Sequence, residues 1–140
     1  MKNGIILLLL VSFCACGDAN NTVPYTKERA IVNPEAVLTY TESDNGDTAK
    51  TLRVALFEQK ESLKFEVKFS YKDATGEKIF SYPNLGFMPK PGLKKGPKPM
   101  SCIIGFYDAD SVFMDLRLVA VENGSLYYRH LKEYQVEAEK

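Results

Sequence analysis

The ten residues Leu63-Lys64-Phe65-Glu66-Val67-Lys68-Phe69-Ser70-Tyr71-Lys72 place an apolar side chain at every odd position and a polar or charged one at every even position. That period of two belongs to a strand with one buried and one wet face, whereas a helix would need a period near 3.6. A strand of this kind is not stable alone. It needs neighbours to complete its ladder and a second layer to cover its apolar side. The rest of the chain must therefore supply more strands, and its punctuation indicates where they lie.

Ala36 to Glu42 and Thr51 to Glu58 read as two strands separated by Ser43-Asp44-Asn45-Gly46-Asp47, in which Asn45-Gly46 suits a tight turn with positive φ. After the alternating segment, Asp73-Ala74-Thr75-Gly76 supplies turn chemistry and Glu77 to Tyr82 resumes an extended pattern. Downstream, Met100 to Tyr107 and Val112 to Glu122 are strands joined through Asp108-Ala109-Asp110. Asn123-Gly124 then forms the sharpest hairpin signal in the chain, followed by a last strand from Leu126 towards Val136. About seven strands without helical periodicity or βαβ spacing imply an all-β fold. The expected architecture is an antiparallel, immunoglobulin-like β-sandwich, with a small β-barrel as the rival.

One stretch breaks this rhythm. Residues 83–99 contain five prolines and three glycines, and the expectation is a long loop between strands, because proline donates no ladder bond and glycine has no side chain to pack. The loop carries Leu85, Phe87 and Met88, then Lys90, Lys94, Lys95 and Lys98 with no acid beside them in sequence. Two readings stand. The apolar three fold over the end of the sandwich and the lysines form a solvated rim, or all seven form a recognition loop for an acidic partner.

The chemistry-bearing residues are sparse. Of 140 residues one is histidine and three are cysteines, and 18 basic residues balance 18 acidic ones, which leaves no global field for nucleic acid. His130 in Tyr127-Tyr128-Arg129-His130 reads as an ordinary strand histidine, and neither a catalytic residue, a metal site nor a cofactor is expected. Asp108, Asp110 and Asp115, with Asp44 and Asp47, read as turn chemistry in preference to a calcium site. Tyr107, Tyr127, Tyr128 and Tyr134 read as strand packing, with an aromatic surface for sugar or peptide as the alternative. Cys102 reads as a small buried hydrophobe.

The N-terminus is of a different kind. Lys2 precedes the apolar run Ile5-Ile6-Leu7-Leu8-Leu9-Leu10-Val11, which suits the hydrophobic region of an export signal and is too short to span a bilayer. Phe13-Cys14-Ala15-Cys16-Gly17 then resembles the lipobox of bacterial lipoproteins. The resemblance implies cleavage after Ala15 and acylation of Cys16. Ala15 before Cys16 is the small residue that the motif asks for, whereas Phe13 before Cys14 is not. On this reading residues 1–15 are a signal peptide, 16–33 a lipidated start and tether, and 34–140 the β-sandwich domain. The implied place is the cell envelope, at the outer membrane. The function expected there is a non-catalytic module that binds another envelope protein. The alternative is an inhibitor or immunity-type protein that blocks an extracytoplasmic enzyme or toxin.

Overall fold

The computed structural model describes residues 32–134; the expected signal peptide, Cys16, most of the expected tether and Val136 lie outside them. Eight strands make two four-stranded antiparallel sheets. The first holds β1 (Leu38–Asp44), β2 (Asp47–Glu58), β3 (Lys64–Tyr71) and β4 (Ala74–Ser81) in sequence order. The second holds β5 (Lys90–Lys95), β6 (Ser101–Tyr107), β7 (Phe113–Glu122) and β8 (Ser125–His130), also in order. The result is an all-β sandwich of two separate sheets, not a closed barrel. Its connectivity is simpler than the crossing strands of an immunoglobulin domain: each sheet is a meander, and the chain passes from one to the other once, through residues 82–89.

The hairpins form where the turn residues direct. Asn45 and Gly46 take φ of 48° and 79°, and Asn123 and Gly124 take 51° and 76°, the paired left-handed values of a tight hairpin. Beside the first turn the ladder slips after Ser43, which pairs with Thr51, so residues 48–50 are taken up as an irregularity. The turn expected over residues 73–76 lies earlier. Tyr71 pairs with Ala74, Lys72 adopts φ 52°, and residues 74–76 belong to β4. The last strand ends at His130, short of the expected continuation towards Val136.

The larger correction concerns residues 83–99. They are not one loop, because Lys90–Lys95 is an edge strand paired with β6. Proline is tolerated there, since an edge strand has ladder bonds on one side only. Gly92 sits opposite Gly105, and this pairing makes room for aromatic rings above it.

The core follows from the alternation. Leu52, Val54 and Leu56 of β2, Phe65, Val67 and Phe69 of β3, and Cys102, Ile104 and Phe106 of β6 fill the space between the sheets. Cys102 is fully buried, and burial pushes its thiol pKa up to about 12, which leaves it a packing residue with almost no thiolate at neutral pH. The crossing is fastened by Tyr82. Its ring packs edge-on against Phe65 at 4.9 Å and Phe106 at 5.7 Å, and its hydroxyl donates to the Gly105 carbonyl at 2.8 Å.

Each of the four edge strands carries an ionisable residue on its core-side face. By register these are Glu42 opposite Leu52, Lys78 opposite Val67, Lys95 opposite Cys102, and His130 opposite Arg117. Lys78, Lys95 and His130 are exposed there, and lysines on an edge strand discourage a further strand from docking on it. At the β1–β5 seam two of the four meet: Lys95 lies 3.1 Å from Glu42, which also accepts a hydrogen bond from the Tyr40 hydroxyl at 2.8 Å. Burial opposes the charge on Glu42, but the Tyr40 and Lys95 contacts outweigh it and hold the carboxyl below its ordinary range. A lowered folded pKa stabilises the fold above the unfolded carboxylate value of roughly 4.3, and the effect is lost as pH falls through the folded value. Unfolding titrations below neutrality should therefore show the native protein losing stability more steeply than Glu42→Gln; parallel curves would contradict this role.

Candidate functional site: the outer face of the second sheet

The two outer faces differ in chemistry. On the first sheet the register lines up Thr39, Ala55, Lys68 and Glu77 in one row and Thr41, Arg53, Ser70 and Thr75 in the next, small and polar residues over a shallow trough of about 720 Å3; Phe57, Glu66 and the exposed Ile79 make a third row, beside which the Lys68 ammonium lies 5.3 Å from the centre of the Phe57 ring. On the second sheet the outward residues include Lys90 and Lys94 of β5, Ile103 and Tyr107 of β6, Phe113 and Leu118 of β7, and Tyr127 and Arg129 of β8. This face is apolar and aromatic along its middle, with cations on both edge strands.

Its centre is built on two glycines. A Cβ on Gly92 would lie 2.7 Å from the Phe113 ring and 2.9 Å from the Tyr107 ring. On Gly105 it would lie 2.2 Å from the Met114 carbonyl oxygen and 2.7 Å from Phe113. The absent side chains let both rings lie down on the sheet, where they meet edge to face at 5.3 Å. The Lys94 ammonium sits 4.4 Å from the centre of the Phe113 ring and 5.4 Å from that of Tyr107. A cation over two ring faces is held in place without being neutralised, so its charge stays available to an acidic group. Lys90, opposite Tyr107, is exposed beside it.

The seven residues expected to act together are thus divided. Leu85 packs against the core, Phe87 is half-buried and Met88 is exposed. Lys90 and Lys94 share the outer face of β5. The other two lysines have acids that the local sequence does not reveal, for Lys95 meets Glu42 across the seam and Lys98 lies 4.0 Å from Glu122. The tyrosines divide as well. Tyr107 and Tyr127 face outward, Tyr128 stacks on Phe69 at 5.7 Å inside, and Tyr134 packs against Phe106. Sequence reading had no means of finding Phe113 as Lys94's partner, because the contact depends on two strand pairings and on the glycine floor.

The acids behave as turn and pairing residues. Asp108 accepts from the backbone of Asp110 and Val112 at 2.9 and 2.8 Å, and Asp115 is paired with Lys132 at 3.2 Å. Among the described residues no group of three or more His, Cys, Asp or Glu is placed to hold a metal ion.

Together these features define a class: an antiparallel β-sandwich of two meanders, with a lysine held over two aromatic rings on the outer face of its second sheet. No family model matches the chain, and neither a curated protein nor a solved structure matches it.

Proposed function

We propose that this chain is a lipid-anchored, non-catalytic interaction module of a bacterial cell envelope. Acylated Cys16 tethers it, and the outer face of the second sheet meets a protein partner. The observation that carries the binding half of this reading is the Lys94 ammonium held over Phe113 and Tyr107 on the Gly92 and Gly105 floor. A rigid aromatic surface costs little side-chain entropy on binding, and a cation beside it adds steering and register. The preferred partner surface is apolar with acidic groups opposite Lys90 and Lys94. The lysines on the β4 and β5 edges favour recognition by a face over strand addition at those edges. The alternative is an inhibitor or immunity-type protein whose lysine-bearing segment plugs an acidic cleft; there Lys95 and Lys98 also have acids of this chain beside them, at 3.1 and 4.0 Å.

The anchor half rests on the lipobox-like Ala15-Cys16 step. Metabolic labelling with a fatty acid should tag the native protein, and Cys16→Ser should lose the label and leave the membrane fraction or accumulate as precursor. A stable hold on the bilayer needs more than one acyl chain, which a diacylated or triacylated N-terminus supplies. Label retained in Cys16→Ser and lost in Cys14→Ser would move the site and refute the assignment.

A further inference from the structure

Strand β7 does not alternate cleanly. Asp115 pairs with Gly105 and Arg117 with Ile104, so Leu116 is an extra residue and the ladder slips between Ile104 and Gly105. A bulge of this kind re-aims side chains. Regular alternation would send Arg117 outward once Leu116 points in. The slip instead carries its guanidinium to the core side, 5.9 Å from the centre of the Phe80 ring of β4.

Arg117 is surrounded by a backbone carbonyl, an imidazole, a phenol and an aromatic ring. One guanidinium nitrogen donates to the Leu116 carbonyl at 3.0 Å and lies 3.4 Å from His130 Nδ1, and the group also faces the Tyr128 hydroxyl. Of the nearby acids, Asp115 is paired with Lys132 at 3.2 Å, and Glu133 lies 3.6 Å from His130. No ion pair joins Arg117 to a carboxylate among the described residues. A half-buried guanidinium has five donors, and charges drawn out of water are ordinarily paired.

Beside it, at the seam between the β4 and β8 edges, a recess of about 290 Å3 opens to solvent. Tyr82, Pro83, Leu116 and Tyr134 line it as apolar and aromatic walls, and Arg117 and Lys132 line it as cations. Glu133 is also at the rim, but its side chain is 73% exposed and faces His130.

We propose that this recess is a carboxylate-binding site, taking the free carboxyl end of a short peptide whose last side chain is small and apolar. The planar fork of Arg117 matches both oxygens of a carboxylate, and the walls accept the aliphatic group; Lys132, at the rim, is already paired with Asp115. This site is separate from the outer face of the second sheet and does not depend on the anchor.

The test uses the full chain and N-acetyl-alanyl-alanine as probe, followed by calorimetry and by the Arg117 Nε–Hε signal in NMR. The free-acid peptide should bind saturably and shift that signal, and the same peptide as its C-terminal amide should not. Arg117→Lys keeps the charge and loses the fork, so affinity should fall by about tenfold or more. Arg117→Gln should abolish binding, with melting curves recorded for both variants. Equal binding of the amide, binding of inorganic phosphate in place of the peptide, undiminished affinity in folded Arg117→Lys, or no shift at millimolar peptide would each overturn the proposal.

Discussion

Replacing Phe65 with alanine is expected to cost about 3–5 kcal/mol, enough to leave a domain of this size largely unfolded at physiological temperature. Phe65 is fully buried at the start of β3, opposite Phe80, and it touches both Phe80 and the crossing residue Tyr82. Its ring thus joins the first sheet to the single passage into the second. The remaining free cysteine among the described residues is buried and unpaired, so no disulfide there compensates for a cavity. Denaturant unfolding followed by far-ultraviolet circular dichroism measures the loss, and a cost below about 1 kcal/mol would mean that the centre of the sandwich lies elsewhere.

Gly105→Ala is the second large effect, and it reaches the proposed binding face as well as the fold. The new methyl would sit 2.2 Å from the Met114 carbonyl oxygen, a backbone atom of the neighbouring strand that cannot rotate away. Overpacking of this kind costs about 1–3 kcal/mol. The methyl would also press on the Phe113 ring at 2.7 Å and lift it from beneath Lys94. Stability equal to that of the native protein, or an undisturbed Phe113 ring in Gly105→Ala, would contradict the glycine floor.

Much of this fold was legible in the sequence, for identifiable reasons. The alternation from Leu63 to Lys72 reports one buried face and one wet face directly, and β3 occupies Lys64–Tyr71 as expected. Asn45-Gly46 and Asn123-Gly124 announce hairpins because a two-residue turn needs positive φ, and both adopt it. What stayed hidden depends on pairing across strands. Strand β5 was obscured by Pro91 and Gly92, residues that argue against a strand until it is known to lie at an edge opposite another glycine. The split among the lysines was equally invisible, since Glu42 and Glu122 reach Lys95 and Lys98 only through tertiary contact. Arg117 was placed by a bulge, and a one-residue slip reverses every later inside-outside assignment in β7.

The two faces of the molecule also make its functional reading falsifiable in a single comparison. A photoreactive side chain at Ala55 samples the polar outer face of the first sheet, and one at Ile103 samples the apolar outer face of the second, in the row of Lys94 and Leu118. In the full chain, irradiated in its native cells, position 103 should yield a discrete adduct with another protein and position 55 should not. The adduct should also disappear when Lys90 and Lys94 are changed to glutamate. Adducts of equal yield from both positions, or from position 55 alone, would contradict the assignment of the second sheet's outer face as the surface through which this protein acts.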